Sequence, residues 1–162
     1  MSTTVTPAVP ATASPTSSTT AGRVSALATR PLWLVGVAAT ALAAVVTALV
    51  AEVAKAADVP MQVASSSGGD PETIPAGGFA TMVLIGGAIG VVLALALARW
   101  AKRPARTFLV VTGVLTVVSF ASPLIAENAT TATRVVLELT HVVAAAIVIP
   151  PIAYRLAHHQ GR

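Results

Sequence analysis

The sequence predicts an all-α fold, an integral membrane four-helix bundle running up-down-up-down behind a disordered N-terminal tail. Three observations predict it. The chain is 55% hydrophobic and only 10% charged over 162 residues, whereas soluble domains carry roughly 25% charged residues. Its apolar residues fall in blocks: 32–51, 79–98 and 107–126 are each 20 residues without one ionisable side chain. A fourth block of 20, residues 135–154, is interrupted only by Glu138 and His141. About 20 apolar residues at 1.5 Å rise cross a hydrocarbon core of ~30 Å, and helices satisfy their own backbone there. The third observation is the partition of charge between the two sets of connections, taken up below.

Residues 1–30 are Ser, Thr, Pro and Ala with little charge, the composition of a disordered tail. The four-span domain follows over residues 31–155. The first block could be read as a signal peptide cleaved after Ala54-Lys55-Ala56, but a run of 20 exceeds the usual ~7–15 residues. We therefore expect it to be retained as a span. The connection from Glu52 to Gly78 is rich in Gly, Ser and Pro and reads as a solvated, flexible connector. On the second span, Gly86-x-x-x-Gly90, with Gly87 between, forms a small-residue face suited to close helix packing within the bundle. Gly36, Thr40 and Thr47 suggest a packing face on the first span. The third span is preceded by the basic turn RWAKRPAR. The fourth should kink or end at Pro150-Pro151, leaving a short basic tail, residues 156–162.

Orientation follows from Lys and Arg, which are retained on the cytoplasmic side. Arg23, Arg30, Arg99, Lys102, Arg103, Arg106, Arg155 and Arg162 share one side of a four-span chain, and only Lys55 and Arg134 fall on the other. All six acids lie on that second side or in the outer half of the fourth span. Both termini are thus expected in the cytoplasm, at the plasma membrane. Trp33, Trp100, Phe108 and Tyr154 mark the inner ends of the four spans, as an interfacial aromatic belt would.

The chemistry concentrates on the fourth span. Arg134 and Glu138 are four residues apart, Glu138 and His141 three apart, so the three share one helix face and can touch. A lone ionised acid there is costly, and the nearby Arg134 would reduce the cost. On the third span Thr112, Thr116, Ser119 and Pro123 form a polar stripe, and Ser119 and Ser122 lie at the depth of Glu138 and His141. Pro123 releases the carbonyl of Ser119 from its helical bond, an acceptor His141 could use. Three readings follow. In the first, these groups form a polar clasp between two helices. In the second, Glu138 and His141 form an outward-facing proton or ligand site, imidazole being the side chain that ordinarily titrates near neutral pH. In the third, Glu138-x-x-His141 is part of a di-iron site, but such sites need two of these elements and two further glutamates. One element is present, and His158-His159 lies in the terminal tail, so no metal or other cofactor is expected.

Cysteine is absent, which removes thiolate nucleophiles, disulfides and cysteine-rich metal sites. The +4 net charge comes without an aromatic-studded basic patch, so nucleic acid is not an expected partner. No phosphate-binding loop, dinucleotide fingerprint or nucleophile elbow occurs, and an enzyme is not expected. Four short Ala/Val/Leu-rich spans, a basic middle turn and a last helix reading LELTHVVAAAIVIP resemble a family of small actinobacterial four-helix membrane proteins, domain of unknown function 6069. Thr131-Ala132-Thr133 followed by Leu137, His141 and the 144–150 run carry the likeness, over about residues 30–155. The family has an apolar residue in the region of Glu138, which argues against a shared catalytic acid. The resemblance implies the topology and no activity. The expected partners are the bilayer and a second copy or another membrane protein. The expected role is a structural or accessory one, with a proton-coupled transporter or sensor at Glu138 and His141 as the alternative.

Overall fold

A computed structural model describes residues 30–63, 72–121 and 130–159. The tail expected over residues 1–30 lies outside them apart from Arg30. Four helices make up the described chain: α1 Leu32–Ala56, α2 Ala76–Trp100, α3 Pro104–Ser119 and α4 Thr131–His159, with a two-residue strand pair between α1 and α2. The all-α bundle expected from the sequence is present. Three of the helices, α1, α2 and α4, are long and apolar enough to cross a membrane, and α3 is a shorter apolar helix. α1 packs chiefly on α2 and α4, and α3 on α4 and α2, so successive helices are neighbours around the bundle.

The ends explain the boundaries. α1 begins after Pro31, whose carbonyl accepts the amides of Leu34 and Val35 at 3.1 and 3.2 Å. It runs a turn beyond the expected block and stops in a Schellman arrangement. Asp58 N–H donates to Lys55 O at 3.0 Å and Val59 N–H to Ala54 O at 3.1 Å, while Asp58 itself takes the left-handed conformation, φ 58°. Pro104 at the first turn opens α3 after a three-residue turn, the position where proline's missing N–H costs nothing. Thr130 caps α4: its Oγ1 accepts the Thr133 amide at 3.2 Å and its carbonyl accepts that of Arg134 at 3.0 Å.

The fourth helix does not end at its prolines: Pro150 and Pro151 lie inside α4, which continues through them to His159. Its last turns are held by packing: Ile152, Ala153 and Leu156 are buried with Leu32, Ala94 and Phe108 in one cluster at the basic end. Proline's cost is thereby overridden by tertiary contacts. The same cluster removes Phe108 from the aromatic belt, since it is fully buried. Trp33 and Trp100, in contrast, are 54% and 81% exposed.

The connection after α1 is not a plain solvated linker. Gln62–Val63 (β1) pairs antiparallel with Glu72–Thr73 (β2). Met61, at φ 46°, turns its side chain into the bundle, where it is fully buried with Ala51, Ala54 and Phe79, against Val59, Ile74, Val136 and Leu137. The carbonyl of Met61 accepts the Ile74 amide at 2.9 Å, fixing the strand pair above the plug. The acidic end of the bundle is therefore closed by a residue of its own loop.

The outer faces of the helices are apolar and open: Val53, Met82, Val92, Val117 and Val135 are each at least 60% exposed. An apolar surface on every helix suits hydrocarbon better than water.

Candidate functional site

The polar residues of α4 line one side of its first three turns. Arg134, Glu138 and His141 are all half-buried, as their shared helix face requires. The described bonds of His141 stay within α4. His141 Nδ1 lies 2.7 Å from the carbonyl of Leu137. A carbonyl only accepts, so Nδ1 carries the proton in this bond, and Nε2 makes no bond among the described residues. The buried Thr140 hydroxyl donates to the same Leu137 carbonyl at 2.7 Å. Leu137 itself packs beneath the Met61 plug, so the oxygen that orients His141 belongs to a residue fixed by the closure of the acidic end.

The expected acceptor for His141, the carbonyl of Ser119, is replaced by this local one. The side chain reaches its own preceding turn more readily than the neighbouring helix. Glu138 makes no hydrogen bond or ion pair among the described residues. Lys55 Nζ pairs with Glu52 Oε1 at 3.3 Å, at the exposed end of α1, an arrangement that contributes little.

The facing stripe on α3 is spent within its own helix. Thr112 Oγ1 donates to Phe108 O at 2.7 Å, Thr116 Oγ1 to Thr112 O at 2.8 Å and Ser119 Oγ to Thr116 O at 2.7 Å. A hydroxyl that bonds the carbonyl three or four residues back satisfies itself without a partner helix. Ser119 is thus present at the expected position but does not bridge to α4. Ser122 and Pro123 lie outside the described residues. Among the described residues no three His, Asp or Glu side chains gather as a metal site would need.

Helix packing is decided elsewhere. A Cβ added to Gly36 would meet Val91 Cγ2 at 2.5 Å, and one added to Gly87 would meet Thr40 Cβ at 2.8 Å. α1 and α2 therefore cross at Gly36, Thr40, Gly87 and Val91, with Thr40 buried. The expectation that Gly86 and Gly90 pack within the bundle is corrected: neither has an atom within 4 Å of an added Cβ. Gly87, about 100° round the helix from Gly86, is the residue that admits the neighbour.

With this geometry in place, the comparison with known families is informative. Residues 27–158 match the Family of unknown function (DUF6069), a stretch spanning α1 to α4. The chain belongs to that family. Its match includes the crossing of α1 on α2, the Met61 closure and the polar face of α4, and excludes most of the N-terminal tail. No curated protein and no solved structure matches the chain significantly.

Sequence reasoning missed Asp58, Met61 and Arg155. A Pro after an apolar run was a signal for the α1 stop, but nothing in the pattern of single residues points to a buried methionine in a Gly/Ser-rich loop. Arg155 was counted as a topology marker. In the fold it is buried, and its Nε donates to the carbonyl of Arg30 at 2.6 Å.

Proposed function

We propose that this member of DUF6069 is an integral, multi-pass plasma-membrane protein serving as a non-enzymatic structural or accessory component. It packs with a second copy or another membrane protein, and both termini lie in the cytoplasm. The observation that carries the reading is the outward strip at Gly86 and Gly90 on α2, where an added Cβ meets nothing. In lipid, association depends on close backbone approach, and small residues four apart on an open face provide it. The open apolar faces of all four helices support immersion in hydrocarbon. The orientation is supported by Arg99, Lys102, Arg103, Arg106 and Arg155 at one end of the bundle and Glu52, Asp58 and Glu72 at the other.

Crosslinking of the full chain in native membranes tests it. Adducts are expected for the unaltered chain and should fall sharply with Gly86→Leu and Gly90→Leu. Monomer alone at every expression level would contradict the reading.

One observation favours a second reading, a proton-coupled transporter or a pH or ligand sensor. Glu138 has no partner among the described residues, and His141 keeps Nε2 unspent. An acid and an imidazole so placed in a span often mark a proton path. Flux in proteoliposomes, or a pH-dependent fluorescence change, should then disappear with Glu138→Gln and His141→Ala. A response that survives both substitutions eliminates this version.

A further inference from the structure

Arg155 is 7% exposed, yet its described surroundings hold no carboxylate. The acids among the described residues, Glu52, Asp58, Glu72 and Glu138, all belong to the opposite end of the bundle. Its Nε is committed to the Arg30 carbonyl. Its two Nη groups make no bond among the described residues, and neither is sealed from solvent. With Nε committed and both Nη groups open to the groove, Arg155 presents unused charged donors to an anion there.

The surroundings say which anion. Arg155 opens into a side groove of about 470 Å³ lined also by Pro31, Leu32, Leu95, Ala98 and Arg99. One end of this groove is basic and the rest apolar. Trp33 and Trp100, both exposed, stand at the same end of the bundle, the depth at which indole rings meet headgroups. A free phosphate would use the arginines and leave the exposed Leu95 and its neighbour Ala98 idle. A phospholipid uses both, with its phosphate on the guanidinium groups and the start of an acyl chain on Leu95 and Ala98.

We propose that Arg155 and Arg99 hold the phosphate of an anionic phospholipid, seated between α1 and α2 in the leaflet at the basic end. The planar guanidinium of Arg155, oriented by its Arg30 bond, offers paired donors to two phosphate oxygens. Basic recesses between spanning helices bind anionic headgroups by this chemistry. The lipid also reports on the entry of the chain into α1, because Arg155 joins the phosphate to the residue preceding Pro31.

The proposal rests on the membrane reading, and the experiment separates the two. The full chain is reconstituted into vesicles containing brominated phosphatidylglycerol or brominated phosphatidylcholine, and quenching of Trp33 and Trp100 gives their relative binding at this end. A preference for phosphatidylglycerol is expected. It should fall about fivefold with Arg155→Gln and by a similar factor with Arg99→Gln, the worth of one basic residue near an anionic surface. Arg106→Gln, outside the groove, should lower it less than either groove arginine does, and an equal loss overturns the site in favour of a diffuse surface charge. Should Arg155→Gln fail to fold, Ala98→Phe fills the groove while leaving the Arg155–Arg30 bond, and must abolish the preference. Equal quenching by the two lipids with the chain recovered in the vesicles overturns the site alone. Displacement of the preference by millimolar inorganic phosphate also overturns it, in favour of a free anion. Recovery of the chain outside the vesicles overturns the site and the membrane reading together.

Discussion

Met61 and Glu138 show how far a single residue can depart from what its neighbours in sequence suggest. Met61 sits at positive φ in a loop of small and turn-forming residues, and its burial and its backbone bond with Ile74 offset that conformation. Shortening it to alanine should leave a cavity under Phe79 and cost about 2–5 kcal/mol, read as a lower unfolding midpoint in detergent. An unchanged midpoint would mean the acidic end is closed by something else. Glu138 makes the opposite case. A half-buried acid without a partner among the described residues adds no stability, so Glu138→Leu should leave the midpoint unchanged or raise it. A marked loss would restore the clasp. The sequence announced Glu138, Arg134 and His141 because charge in an apolar run is conspicuous. It could not announce their bonding, since Nδ1 of His141 had a nearer carbonyl at Leu137 than any on α3.

At the scale of the element, the hydropathy blocks located all four helices. What they did not locate is the face each helix turns inward. Gly86, Gly87 and Gly90 differ only in phase around α2, and every other residue nearby is Val, Ile, Leu or Ala. The inward phase is set by Thr40 and Val91 at the crossing, a long-range fact that no period within α2 contains. Gly87→Ala should therefore cost about 1–3 kcal/mol through overpacking against Thr40, whereas Gly86→Ala should leave stability unaltered. The comparison is read as paired thermal unfolding curves in one detergent, and equal losses would contradict the crossing. The Thr112, Thr116 and Ser119 stripe carries the same lesson. A polar period on a helix marks a face, but each hydroxyl here is answered one turn back, so Thr116→Val should change the midpoint little. The two-residue strands were illegible for a simpler reason: they are too short to display alternation.

The described residues form a bundle whose exterior carries large exposed apolar side chains on every helix. In hydrocarbon, burying Phe108 or Leu156 gains no transfer energy over leaving them exposed, so the packing at Gly36 and Gly87, and the closures at Met61 and Arg155, must specify the fold. The open Gly86–Gly90 strip and the basic groove at Arg155 are the places where that exterior departs from uniform hydrocarbon. In the proposed topology the chain crosses the membrane four times with its basic turn inside. Because the sequence contains no cysteine, single cysteines report without background. With Glu72→Cys or Lys102→Cys in the full chain, intact cells are treated with a membrane-impermeant maleimide. The account predicts labelling of Glu72→Cys in intact cells and of Lys102→Cys only after permeabilisation. Labelling of Lys102→Cys in intact cells, or of both positions alike, would contradict it.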